Sequence, residues 1–159
     1  MDEAEARRRL DEAGGAIVAG VERHLPEWCV RQVERILDAW GRLDPDARRH
    51  TAQEARAAGA AAATRVVAGL RTLLATDPTV QSATPLEVVR TAYREPTAVL
   101  AAARVPPVVR DGFDERAWPD DVYGLVPRSL GDLGDEDLAP LLLAWGLAKA
   151  AIVRPRPVA

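Results

Sequence analysis

Five carboxylates fall within the eleven residues from Asp111 to Asp121, in the segment Arg110-Asp111-Gly112-Phe113-Asp114-Glu115-Arg116-Ala117-Trp118-Pro119-Asp120-Asp121. A flexible loop rich in carboxylate oxygens is what a hard cation such as magnesium or calcium takes as its ligands. The spacing departs from the twelve-residue calcium loop, which needs acids at alternating positions, a central glycine and a closing glutamate. The same carboxylates can instead face a basic partner. They can also serve the fold itself, through turn and cap hydrogen bonds and through ion pairs with Arg110 and Arg116. The arginines add a further chemistry, because a guanidinium fork clamps a carboxylate or phosphate through paired hydrogen bonds. The candidate ligand- or partner-binding residues are therefore Arg110, Asp111, Asp114, Glu115, Arg116, Trp118, Asp120 and Asp121. No metal ligand set, cofactor or catalytic residue is assigned.

Other reactive side chains are few. The chain has one cysteine, Cys29, and two histidines, His24 and His50. A lone cysteine forms no intramolecular disulfide, and Cys29 lies on an apolar helix face, where an inert buried thiol is expected. His50 precedes Glu54 by one helical turn among Arg48 and Arg49, which reads as a solvated face. His24, just before Leu25-Pro26, is expected at the end of the first helix, where a cation suits the dipole. Neither GxxxxGK[ST] nor a GxGxxG turn after a strand is present, so no phosphate cradle is expected. Gly131-Asp132-Leu133-Gly134 reads as a turn.

Charge is placed unevenly along the 159 residues, whose formal net charge is −3. Residues 1–76 hold 12 basic and 12 acidic side chains, and Arg7-Arg8-Arg9 sits among Glu3, Glu5, Asp11 and Glu12. Residues 111–137 hold nine acids against Arg116 and Arg128, a net −7, and the last 22 residues contribute +3. This pattern argues against nucleic acid as a partner. The most apolar stretch, Leu138 to Val153, has 16 residues, short of the roughly 20 that span a membrane, and reads as a core helix. The opening MDEAEARRRLDEAGG lacks the apolar run of a signal peptide, so a cytoplasmic protein is expected. Arginine outnumbers lysine 20 to 1, which fits the codon usage of a high-GC genome.

The elements that must position these residues read as helices. Leu10, Ala13, Ile17, Val21 and Leu25 make one apolar stripe, and Pro26 is expected to end or bend that helix. A second helix follows to about Arg42, with Cys29, Val33, Ile36, Leu37 and Trp40 on its inner face and Trp28 at the rim, beside Arg31 and Arg35. Asp44-Pro45 starts a long alanine-rich helix that runs to Leu74 or Ala75. Its stripe of Ala52, Ala55, Gly59, Ala62, Ala63 and Val66 suits close helix approach. About 30 residues span some 45 Å, so this helix either bends or packs its small side chains on a second copy. Thr84-Pro85-Leu86-Glu87 is a capping box opening a short helix, and another runs from Pro96 to Ala103. Residues 104–135 are punctuated by proline and glycine, yet too apolar to be a free linker. They are expected to form an ordered acidic strap before a last helix that opens near Asp135 to Asp137.

The sum is an all-α fold, an irregular bundle of five to six helices in a single domain over 1–154, with an extended tail at 155–159. The stretch TPLEVVRTAYREPTAVLAAARVPPVVRDGFDERAWPDDVYGLVPRSL, followed by LAWGLAKA, is similar to a family of small helical proteins from high-GC bacteria. The resemblance covers residues 84–150. It implies a bacterial cytosolic helical protein and carries no activity, substrate or functional residue. The expected function is a non-catalytic protein–protein interaction module that offers its acidic surface, 111–137, to a basic partner and self-associates, as a homodimer, through the alanine-rich helix 45–75. The alternative is a sensor or enzyme that binds a small molecule or magnesium through the 110–121 carboxylates.

Overall fold

The computed structural model describes residues 1–108 and 118–153. Among them every regular element is helical. The α-helices are α1 (Glu3–Trp40), α2 (Pro45–Ala75), α3 (Pro85–Arg90), α4 (Arg94–Ala102) and α5 (Leu138–Ile152), with 3-10 turns at Pro78–Val80, Thr91–Tyr93 and Leu130–Leu133. Because α3, a 3-10 turn and α4 follow without a break from Pro85 to Ala102, the described chain makes four helical bodies. That is fewer than the five to six expected. Of the residues singled out from sequence, Arg110, Asp111, Asp114, Glu115 and Arg116 lie outside the described residues, as does the tail 155–159.

One of the expected helices is lost at Pro26. The expected first two helices are one, α1, of 38 residues with Pro26 inside it. Proline in a helix interior removes one hydrogen bond and crowds the preceding turn, at about 3 kcal/mol. Here the apolar stripe crosses the proline in phase: Ile17, Val21, Leu25, Cys29, Val33 and Leu37 follow at steps of four, and each is no more than 1% exposed. Burying a large apolar side chain contributes about 1.5–3 kcal/mol, so the residues on either side outweigh one lost bond. Asp2 caps the start by accepting from the Glu5 amide at 2.7 Å. The end is Gly41, at φ 65°, whose N–H returns to the Leu37 carbonyl.

Two further expectations change with this helix. His24 caps nothing. It sits in the middle of α1, with Nε2 3.1 Å from the Asp135 carboxylate. Trp28 is no rim residue but is 2% exposed in the core, because the unbroken helix turns it inward.

The second long helix matches its expected bounds. Asp44 accepts from the Ala47 amide at 2.9 Å, and Pro45 occupies the first turn. Its small-residue stripe is already covered within the chain. Ala55, Gly59, Ala62, Ala63 and Val66 are buried, facing α1. A Cβ on Gly59 would lie 2.8 Å from the Pro26 carbonyl oxygen and 3.0 Å from its Cα, so the two backbones nearly touch there. The small side chains thus serve packing within one chain. With α2 on one side of it and α5 on another, α1 is the spine of the molecule. The strap joins the same core through Val105, Tyr123, Leu125, Leu130 and Leu133.

Candidate functional site

The described part of the strap is held by cross-links from the helices. The Tyr123 hydroxyl donates to the Val105 carbonyl at 2.6 Å, and burial pushes that phenol's pKa up. The Val108 amide donates to the Val122 carbonyl at 3.0 Å. From α1, Arg31 reaches the Leu133 carbonyl at 2.8 Å. From the end of α3, Arg90 donates through Nε to the Pro127 carbonyl and through Nη2 to that of Arg128, both at 3.1 Å. Its guanidinium also lies 4.5 Å from the centre of the Trp118 ring, within cation–π range.

Several acids of this region serve the fold. Asp121 is 4% exposed, and its two carboxylate oxygens accept from the amides of Leu125 at 2.6 Å and Val126 at 3.0 Å. Asp132 accepts from the amides of Arg128 and Ser129, and Asp135 pairs with His24. Asp120, Glu136 and Asp137 are exposed. Of the residues proposed from sequence, the structure therefore places Trp118 under Arg90, Asp120 in water and Asp121 inside the turn it stabilises.

These contacts frame a cleft of about 330 Å³ between α1, the end of α3 and the strap. Arg35, Arg90 and Arg128 line it, with Trp118, Tyr123, Val126 and Asp121. Sequence reasoning missed Arg35, Arg90 and Tyr123. Arg90 carries no local signal, since its partners lie 37 and 38 residues away.

A second surface lies on α5. Leu138, Trp145 and Ala148 are buried against the core, while Leu143 and Leu147 on the outer side are 65% and 60% exposed. Ala139, Pro140, Ala144, Gly146 and Ala150 are exposed beside them, so these neighbours on α5 bring no charge to the face. Grooves of about 500 Å³ and about 330 Å³ flank the Leu147 ridge, the first floored by Leu130 and Leu142, the second bordered by Met1, Leu141 and the charged Arg9 and Glu12 of α1.

The remaining reactive groups are held in quiet settings. The Cys29 thiol is buried and pushed up to about 12, chiefly by loss of solvent and then by the charge of Glu95, so it holds no thiolate at neutral pH. His50 lies 2.9 Å from Glu54 on an exposed face of α2. Among the described residues, no three of His, Cys, Asp and Glu converge to hold a metal ion, and no helix is long and apolar enough to cross a membrane. No protein-family model matches the chain, and no curated protein or solved structure is detectably similar to it.

Proposed function

We propose that the protein is a non-catalytic helical interaction module that pairs with a second copy of itself through the outer face of α5. The observation that supports this reading is the exposure of Leu143 and Leu147 among small, uncharged neighbours on α5. A helix apolar on all sides is ordinarily buried on all sides, and this one is half covered. Gly146 adds to the case. A Cβ there would meet nothing within 4 Å, so packing within the chain gives no reason for a glycine that costs a helix about 1 kcal/mol relative to alanine. A second helix laid across that position does.

A second copy fits better than a charged partner, which would have to desolvate its charges against this face. It also brings ridge and groove together: the Leu143 and Leu147 side chains of one copy can fill the grooves of the other in a two-fold arrangement. Fifteen residues span about 22 Å, which sets the contact at the small end of specific interfaces. A weak dimer, dissociating in the micromolar range, is the expected outcome. Light scattering across a concentration series tests it. The mass should rise from monomer to dimer. Leu147→Glu should hold the chain monomeric, and so should Gly146→Leu, which adds no charge and raises helix propensity. A chain that stays monomeric at high concentration, or variants that dimerise as well as the parent, would end this reading.

The expected basic partner has a narrower footing. Asp120, Glu136 and Asp137 are exposed, and the last two stand at the entrance to α5. Their charge reversal should weaken capture of a basic partner in a salt-dependent way, and unchanged capture would remove it.

A further inference from the structure

We infer that the cleft between α1, the end of α3 and the strap binds a small organic anion, one oxyanion head group on an apolar body. At about 330 Å³ it falls at the small end of ligand clefts. Two arginines without an acidic partner among the described residues, Arg35 of α1 and Arg90 at the end of α3, line it. The single carboxylate among the described lining residues, Asp121, already accepts two backbone amides and is almost wholly buried.

Arg90 is the centre of the argument. Its guanidinium is fixed by two carbonyl oxygens and by the Trp118 ring, all of them neutral. No carboxylate among the described residues pairs with it, unlike Arg65, which pairs with Glu95 at 2.6 Å. With its Nε and Nη2 already donating to carbonyls, the guanidinium is held still, and its Nη1 end is placed to donate to an oxyanion with little further ordering. Arg35, one wall over, makes no hydrogen bond or ion pair among the described residues and is able to close on the same anion. Val126, Pro127 and Tyr123 supply the apolar wall, which fits a ligand body that is itself uncharged. A carboxylate and a phosphate monoester share the head-group chemistry, and the two are separated by experiment. The cleft lies apart from the outer face of α5, so the outcome here is independent of whether the chain dimerises.

Nuclear magnetic resonance on the full chain, titrated separately with phenyl phosphate, benzoate and inorganic phosphate, gives the test. Phenyl phosphate or benzoate should shift the Trp118 indole resonance and the Leu125 and Val126 amides saturably, in the millimolar range or below, and leave the buried Trp28 indole in place. Arg35→Gln, at a guanidinium with no bond to lose among the described residues, should weaken binding about tenfold, the worth of one charged hydrogen bond. Arg90→Lys, which keeps the charge and loses the fork, should weaken it at least as much. Shifts that never saturate, or that survive in both variants, would overturn the site. Inorganic phosphate binding as tightly as phenyl phosphate would overturn the apolar-body assignment.

Discussion

Two neighbouring acids with opposite surroundings give the sharpest prediction at the scale of single residues. Asp121 supplies both oxygens to buried or half-buried amides of the turn that follows it, while the Asp120 side chain stands in water. Removing an acceptor leaves a buried donor unsatisfied, at about 1–3 kcal/mol for each group. Asp121→Ala should therefore destabilise the fold by about 2–4 kcal/mol, and Asp120→Ala should stay within about 0.5 kcal/mol of the parent, as surface changes generally do. Urea midpoints for the two variants check this directly, and equal midpoints would show that the Asp121 carboxylate is dispensable to the turn. The sequence reads both as members of one acidic cluster. It cannot separate them, because the difference is only whether the chain folds back four and five residues later to bring its amides to the carboxylate.

At the scale of elements, what the sequence shows well is whatever repeats locally. The caps at Asp44 and Thr84 lie where their side chains announce them, each accepting from the amide three residues on. The stripe of α1 is equally plain. Proline 26 was the misleading sign, because a local rule for breaking helices competed with a longer-range one, the unbroken phase of Leu25, Cys29, Val33 and Leu37, and the longer-range rule won. The helical glycines make the same point with opposite signs. Gly15 has open space where a Cβ would stand, whereas Gly59 faces the Pro26 backbone at 2.8 Å. Gly15→Ala should stabilise the protein by about 0.5–1 kcal/mol through helix propensity. Gly59→Ala must push α1 and α2 apart and should cost about 1–3 kcal/mol, the usual penalty of overpacking. Thermal melts of the two variants should move in opposite directions. A shift of the same sign in both would mean that the contact at Pro26 yields freely.

At the scale of the whole molecule, the strap decides whether the chain unfolds as one unit or two. The irregular backbone of its described part argues for early local opening, since segments without regular hydrogen bonding usually sit at the low end of local stability. Its packing argues the reverse. Leu125, Leu130 and Leu133 are at most 1% exposed, in one cluster with Ile17 and Leu37 of α1, and Arg31 and Arg90 tie the strap carbonyls to two different helices. To open the strap, the core must lose those leucines and strand both guanidinium groups at once. The Leu125 and Val126 amides, bonded to a carboxylate rather than to any helix or strand, are therefore expected to exchange hydrogen as slowly as core amides of α1 such as Val21 and Val33. The Asp11 amide sits in the same long helix on an exposed face, and its exchange rate separates fraying of α1 from global opening. Exchange at Leu125 and Val126 much faster than at Val33 would make the strap a separately opening element. The cleft at Arg90 would then be assembled only part of the time, and its affinity for an anion would fall in proportion to the fraction of closed molecules.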